Sequence, residues 1–174
     1  MSLIYITGNA GTGKSTVCVE LQERGYDAYD EAGIAAWYDK TTGEKIEWPH
    51  TVEDRTRKWY SKHIFKMSRA KVEQLAEAAR SKTIFLCGQT FHDHEVWDLF
   101  DKTIYLTLSQ EILKQRLAAR TNSLYGKAPD ELADILGWHG SLIEIHRKHG
   151  AIMVDAAQPL GRIVDEILSK TIEK

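Results

Sequence analysis

The sequence predicts an α/β fold, a three-layer α/β/α sandwich in which helices cover both faces of a five-stranded parallel sheet. Short runs of apolar, β-branched or aromatic residues alternate with longer segments of helical period, as expected when helices connect parallel strands. The 174 residues, of which 43% are hydrophobic and 28% charged, match the length and composition of one globular domain. We therefore expect residues 1–174 to form a single domain.

The positions of the elements follow from these runs. The five predicted strands are short apolar segments at residues 3–7, 27–29, 83–87, 103–108 and 151–154. A helix should span residues 14–24 and end at Gly25, a residue that readily adopts positive φ. Later helices are expected to begin near residues 109, 130 and 160.

The longest helix is predicted over residues 52–80, after Pro49. Its apolar positions recur at mostly helical intervals and are Trp59, Ile64, Met67, Val72, Leu75 and Ala79. This apolar face is expected to pack on the sheet.

Charge and cysteine content exclude several classes of protein. The formal net charge is −2, which gives no overall attraction to nucleic acid, so no nucleic-acid partner is expected. Cys18 and Cys87 form neither a CxxC pair nor a disulfide framework. No apolar run approaches the roughly 20 residues of a membrane span, and the N-terminus has no basic region followed by a long apolar stretch. We expect a cytoplasmic protein without membrane contact; the sequence does not specify its oligomeric state.

The strongest motif follows the first predicted strand. It satisfies G-x-x-x-x-G-K-[ST] without a mismatch and opens a predicted helix, the context that a phosphate-binding P-loop requires. Its glycines let backbone N–H groups and the helix N-terminus surround a phosphate. The predicted nucleotide-binding residues are Gly8, Asn9, Ala10, Gly11, Thr12, Gly13, Lys14, Ser15 and Thr16.

The motif predicts ATP and Mg²⁺ as cofactors. The ammonium of Lys14 can bridge the β- and γ-phosphates, and the hydroxyl of Ser15 can take one coordination position of Mg²⁺. A glycine-rich turn with an exposed lysine is the alternative, but the flanking strand and helix favour the P-loop. No Asn-Lys-x-Asp segment for guanine recognition is present.

With this P-loop in a chain of this size, the sequence resembles the small kinases of the nucleoside-monophosphate kinase and shikimate kinase group. Arg116 and Arg120 form an R-x-x-x-R pair like the one that opens the mobile lid of adenylate kinases. The resemblance implies a short lid over about residues 120–130, with Arg116 against the adenine and Arg120 on the transferring phosphates. A solvated helix end, where cations are favoured, is the alternative.

The segment after the last predicted strand, residues 155–159, is similar to the loop that these kinases place against adenine. The resemblance therefore implies a nucleotide contact for Gln158. Asp155 is expected to cap a helix or to shape this loop rather than to hold a metal, since it follows the fifth strand.

Candidate acceptor-binding residues lie at the ends of two strands and near the predicted flap. Asp30 matches the second acid of the D-x-D motif in shikimate kinases. A carboxylate there could accept the proton of an attacking hydroxyl or hold Mg²⁺ through water; helix capping is the alternative, and Glu31 is a weaker candidate. Arg55 is similar to the acceptor-binding arginine of the group. Gly88 would allow close approach of the acceptor and Gln89 would hydrogen-bond it, although this strand end departs from both named enzymes.

A flap over about residues 36–60 is predicted from its aromatic density. Its large rings are Trp37, Tyr38, Trp48, Trp59 and Tyr60. They can stack on a ring-shaped substrate or build the core of the flap, and the sequence favours neither. The nearby segment of residues 92–94, His-Asp-His, is expected to have a capping or surface role.

These features predict an ATP- and Mg²⁺-dependent phosphotransferase. It would move the γ-phosphate to a small-molecule acceptor, with a nucleotide or nucleoside favoured by the aromatic flap and the lid pair. A kinase for the hydroxyl of a shikimate- or gluconate-like metabolite is one alternative. A non-catalytic regulator that only binds ATP is another, since the acceptor motifs are incomplete.

Overall fold

The computed structural model describes residues 1–121 and 123–172. The elements in chain order are β1 Leu3–Thr7, α1 Lys14–Glu23, β2 Asp27–Asp30, β3 Ala35–Asp39, β4 Lys45–Ile46, α2 Arg57–Lys62, β5 His63–Met67, α3 Arg69–Ala78, β6 Ile84–Cys87, a 3₁₀ helix Asp93–Leu99, β7 Lys102–Thr107, α4 Gln110–Ala119, α5 Pro129–Lys148, β8 Ile152–Asp155 and α6 Leu160–Thr171.

The main sheet has five strands in the order β2-β6-β1-β7-β8, and every neighbouring pair is parallel. The five predicted strands are therefore confirmed, with bounds that differ by one residue at some ends. Helices connect the strands, as a parallel sheet requires. The predicted α/β fold is also confirmed.

Alternate residues of each central strand build two cores, one on each face of the sheet. Ile4 and Ile6 of β1 pack in a buried cluster with α1 and α6. Leu3 and Tyr5 point the other way, into a cluster that includes Val72 of α3. This arrangement produces the three layers.

The predicted helix over residues 52–80 is wrong. The segment instead forms α2, β5 and α3, and β5 pairs antiparallel with β3, so that Trp37 lies opposite Phe65. A three-stranded sheet of order β4-β3-β5 results. The sequence of β5 suits a strand because alternate apolar side chains reach the flap aromatics, and pairing with β3 overrides the helical spacing. The predicted flap thus contains an antiparallel sheet.

The carboxyl ends of the five parallel strands meet at one edge, which is where open α/β sheets bind ligands. The P-loop follows β1 at this edge, and the segment after β2 lies beside the segment after β6 because these strands are paired. None of the helices among the described residues is both long enough and apolar enough to cross a membrane.

Candidate functional site

The P-loop encloses one end of a cavity of about 1200 Å³ at this edge of the sheet. Gly8 has a φ of +152°, and a Cβ there would lie 2.8 Å from the carbonyl oxygen of Leu106. Only glycine therefore lets β1 enter the loop so close to β7. Asn9 anchors the loop, because its Nδ2 donates to the carbonyl of Ile135 at 2.8 Å and its Oδ1 accepts from the amide of Ala10 at 2.8 Å.

Lys14 folds back over this loop. Its Nζ donates to the carbonyl oxygens of Gly8 at 2.8 Å and Asn9 at 3.1 Å. Burial lowers the pKa of Lys14 to about 8, and the carboxylate of Glu31 opposes that shift. An anion entering the loop would raise that pKa again and further favour the charged ammonium. The loop and Lys14 together thus form a site for a polyphosphate.

Ser15 and Thr16 lie at the start of α1, are exposed and line the cavity. The hydroxyl of Ser15 is an oxygen ligand of the kind that Mg²⁺ accepts beside a phosphate. The site is therefore chemically suited to Mg²⁺ with a bound nucleotide, and Ser15 is the residue that would hold the ion.

Arg116 of α4 and Arg120, the residue that follows this helix, both line the cavity beside the P-loop. Arg116 donates from Nη2 to the carbonyl of Ala156 at 2.9 Å and from Nη1 to the carbonyl of Thr12 at 3.4 Å. Arg120 donates to the carbonyl of Tyr125, and its buried Nε has no hydrogen-bond partner in the described part of the chain. Burial lowers the pKa of Arg120. An anionic ligand would satisfy this guanidinium.

The loop after β8 completes the nucleotide end of the cavity. Gln158 lines it, and its Nε2 donates to Glu166 Oε2 at 3.1 Å and to the carbonyl of Asp155 at 3.3 Å. The structure thus brings Gln158 to the same cavity as the P-loop and these two arginines. Asp155 is exposed and its Oδ1 accepts from the amide of Ala157, so it shapes this loop.

The lid region, residues 120–130, connects α4 to α5, and its Asn122 lies outside the described residues. Ser123 and Tyr125 line the cavity. The amide of Gly126 donates to Glu131 Oε2 at 2.8 Å, which holds the segment against the first turn of α5.

At the acceptor end, the carboxylate that lines the cavity belongs to Glu31, one residue after the predicted Asp30. Asp30 is exposed, its Oδ1 accepts from the amide of Ala32 at 2.9 Å, and it does not line the cavity. Glu31 does line it, and its Oε2 accepts from the amide of Gln89 at 2.5 Å. The last residue of β2 points away from the site, so the next residue turns into it. The expectation for Asp30 is corrected to Glu31.

The environment of Glu31 suits a proton acceptor. Burial raises its pKa, and nearby Lys14 opposes that rise. Gly88 makes room for it, since a Cβ at Gly88 would lie 2.8 Å from the Cβ of Glu31. Gly88 therefore accommodates the carboxylate rather than the acceptor itself. Gln89 lines the cavity as expected.

Arg55 is the second correction, because it does not line the cavity. Its side chain is fully buried, with Nη1 3.4 Å from Glu131 Oε1 and 2.9 Å from the carbonyl of Leu124. Its guanidinium also lies 4.4 Å from the ring centroid of Trp48. These contacts make Arg55 part of the structure of the flap, and its side chain does not face the cavity.

Aromatic rings form the walls of the acceptor end. Those that line the cavity are Trp37, Trp48, Phe65, Phe91, Tyr125 and Trp138. Trp37 contacts Phe91 at 6.0 Å between ring centroids, and Phe91 contacts Trp138 at 5.7 Å. Of the flap aromatics, Trp37 and Trp48 line the cavity, and Trp37 also packs on Trp59 and Tyr60. Stacking on a substrate stays a prediction for the two that line the cavity.

The sequence did not indicate a set of buried polar groups deeper in the cavity. Thr90, Asp93 and His146 line this part, and each is at most 6% exposed. Asp93 begins the 3₁₀ helix, which is compatible with the expected capping role, but it is buried, so the surface alternative is wrong for Asp93. His146 lies on α5, more than 50 residues away in the sequence, and no local pattern joins the two.

The site and the parallel sheet define a P-loop kinase-like fold. The AAA domain family model matches residues 4–137. The chain therefore belongs to the AAA domain family. No curated protein matches the chain by sequence.

Solved structures of small kinases share this fold. Deoxyadenosine kinase from M. mycoides with bound dATP is 19% identical at a TM-score of 0.56, and the match covers 98% of each chain. Shikimate kinase from Aquifex aeolicus is 19% identical at 0.55, over 97% of this chain and 94% of the other. A gluconokinase from Sinorhizobium meliloti is 18% identical at a TM-score of 0.54, and the match covers 95% of this chain and 89% of the other. The small P-loop kinase resemblance is thereby confirmed at the level of the fold.

Proposed function

We propose that the protein is a phosphotransferase that moves the γ-phosphate of Mg-ATP to a small acceptor, a nucleotide or a nucleoside. The observation that carries this proposal is that a P-loop lysine, a lid arginine and a buried carboxylate line one cavity. The kinase folds named above support the class of reaction. A cavity of about 1200 Å³ exceeds the usual volume for one small ligand, which is consistent with two substrates.

Each step of the reaction has a candidate residue. The acceptor oxygen forms a bond to the γ-phosphorus, while the bond from that phosphorus to the β–γ bridging oxygen breaks and ADP leaves. Glu31 takes the proton of an attacking hydroxyl. Lys14 and Arg120 stabilise the charge on the transferring group, and Ser15 would hold Mg²⁺, which would supply further charge neutralisation when bound. Arg116 and Gln158 hold the nucleotide.

The test is ADP release from Mg-ATP with a panel of nucleosides, nucleoside monophosphates and small hydroxy acids. One acceptor should raise ADP release, and Lys14→Ala should lower kcat by at least about 100-fold because the phosphates lose a buried cation. Lys82→Ala is the matched control, since Lys82 is exposed and precedes β6, at the opposite edge of the sheet. Equal turnover by the Lys14→Ala and wild-type proteins would contradict the proposed role of the P-loop.

A further inference from the structure

The acceptor end of the cavity presents a carboxylate and aromatic rings rather than free lysine or arginine. In the described part of the chain, the lysine and arginine side chains that line the cavity are Lys14, Arg116 and Arg120, all beside the P-loop. Arg55, which was expected to bind the acceptor, is paired with Glu131. The cation near Glu31 is Lys14, which also serves the nucleotide phosphates, so a phosphate or carboxylate on the acceptor would meet Glu31 with no further lysine or arginine of the described residues to offset it.

Glu31 also suits a hydroxyl acceptor better than a phosphate acceptor. A hydroxyl must lose a proton as its oxygen attacks, and a buried carboxylate of raised pKa is a suitable base. A phosphate group is already ionised near neutral pH, so it has no need of this base and is repelled by it.

Deeper in the cavity lies a pocket that we name the inner pocket, lined by Thr90, Asp93, Trp97 and His146. Three of its polar atoms are buried and have no hydrogen-bond partner among residues 1–121 and 123–172: Thr90 Oγ1, Trp97 Nε1 and His146 Nε2. Unsatisfied buried polar atoms are rare in folded proteins, since each one costs about 1–3 kcal/mol. Water or a polar ligand that enters the cavity would supply the missing partners.

The carboxylate of Asp93 is at the centre of this pocket. Its Oδ2 accepts from the hydroxyl of Tyr5 at 3.2 Å and lies 3.7 Å from His146 Nε2, which is beyond hydrogen-bonding distance. Burial lowers the pKa of His146 to about 4, so this ring is neutral near pH 7 and gives Asp93 no counter-charge. Asp93 and His146 are thus positioned to share a ligand atom that can hydrogen-bond to both.

The inner pocket combines flat walls with mixed hydrogen-bonding groups. The ring of Trp97 contacts that of His146 at 5.2 Å between centroids. Trp97 Nε1 is a donor, the Asp93 carboxylate is an acceptor when ionised, and the Thr90 hydroxyl can act as either. A planar heterocycle with donors and acceptors on its edge matches this chemistry, whereas a sugar acid would bring a second carboxylate to Asp93.

The inner pocket and Glu31 line the same cavity, and Gln89, whose amide donates to Glu31, directly precedes Thr90 of the pocket. Tyr5 is affected by both carboxylates, since Asp93 and Glu31 each raise the pKa of its hydroxyl, after the larger effect of burial. We propose that the acceptor is an uncharged nucleoside, whose base binds in the inner pocket while its sugar hydroxyl faces Glu31. This inference rests on the proposed function and narrows its acceptor to one class.

The test compares nucleosides carrying different bases as acceptors for the wild-type protein and for Asp93→Asn. We expect Lys14-dependent transfer to nucleosides but not to nucleoside monophosphates, gluconate or shikimate. Asp93→Asn should raise KM for the preferred nucleoside about tenfold with little change in kcat, because it removes a hydrogen bond to the base, and should change the order of preference among bases. Asp98→Asn, on the same 3₁₀ helix but exposed, is the matched control.

Thr90→Val provides a second variant that keeps the shape of the side chain, in case Asp93→Asn unfolds the protein. It should also raise KM for the preferred nucleoside. Transfer to monophosphates or sugar acids alone would overturn this inference and leave the phosphotransferase standing. Nucleoside transfer with a base preference unaltered in both variants would overturn the role of the inner pocket.

If no acceptor supports transfer, the proposed function fails. Binding of nucleosides then still tests whether the inner pocket holds the base of a nucleoside. Titration of each nucleoside by calorimetry should then give binding that both variants weaken about tenfold. Absence of nucleoside binding, or binding that neither variant affects, would overturn the inference.

Discussion

Asp30 and Glu31 are adjacent acids, and only Glu31 lines the cavity. Asp30 completes β2 opposite Cys87, and its side chain accepts a hydrogen bond from the turn that follows. The backbone then directs Glu31 toward the amide of Gln89. Two side chains of the same chemistry therefore have different environments, and this difference can be tested by matched substitutions.

Glu31→Gln should lower kcat by about 10²–10⁴-fold, because the amide keeps the shape of the side chain but cannot accept the proton of the acceptor hydroxyl. Asp30→Asn should leave kcat within about twofold, since an exposed turn residue does not contact substrate. Initial rates at saturating ATP and acceptor measure both effects. A large loss in Asp30→Asn with an active Glu31→Gln would return the role of base to Asp30.

The pH dependence of turnover should show the raised pKa of Glu31. The carboxylate must be ionised to accept a proton, so activity should fall as the pH drops through its pKa. Because burial raises that pKa above the ordinary 4.5, the acid limb should lie above pH 4.5. The measurement is kcat/KM against pH, and the limb should disappear in Glu31→Gln. A limb at or below pH 4.5 would be inconsistent with a buried base.

At the scale of elements, Glu131 joins the flap and the lid to the first turn of α5. Its Oε1 accepts from the hydroxyl of Tyr60 at 2.6 Å and lies 3.4 Å from Arg55 Nη1. Its Oε2 accepts from the amides of Gly126 at 2.8 Å and Ala128 at 3.4 Å. The side chain thus holds three elements that border the cavity.

Removing Arg55 should destabilise the protein. Arg55→Met should lower the free energy of unfolding by about 3–5 kcal/mol, because it leaves the buried Glu131 carboxylate without its cation. Arg57→Met is the control, since Arg57 is 62% exposed, pairs with Asp130 and Asp134 at the surface, and should cost no more than about 1 kcal/mol. Urea unfolding measures both. Equal losses would show that the Arg55 pair has no special structural role.

The flap also shows where sequence patterns mislead. Residues 52–80 have apolar positions at helical intervals, yet residues 63–67 form β5 because β3 lies alongside and offers both hydrogen bonds and aromatic contacts. A short run with alternating apolar residues fits a strand as well as a helix, so the distant partner decides. That partner lies about 30 residues away, and periodicity within the run cannot indicate it.

Across the whole molecule, features fixed by neighbouring residues could be predicted from the sequence, whereas features fixed by residues far apart in the sequence could not. The P-loop is contiguous, and its conformation follows from glycines and a helix start within eight residues, so its position was evident. The five parallel strands were evident from their apolar runs. Arg55 was misassigned because its partner Glu131 is 76 residues away. The proximity of Asp93 and His146 depends on the packing of α5, so local patterns could not predict it either.

The arrangement of the whole molecule supports one mechanism, with a polyphosphate at the P-loop and an acceptor between Glu31 and the aromatic flap. The most direct measurement is the fate of the label from ATP carrying ³²P in its γ-phosphate, incubated with Mg²⁺ and the acceptor panel. We predict that the label appears in the acceptor and that Lys14→Ala and Glu31→Gln each prevent this. Label that stays in ATP, or appears only in inorganic phosphate with every acceptor, would contradict a phosphotransferase.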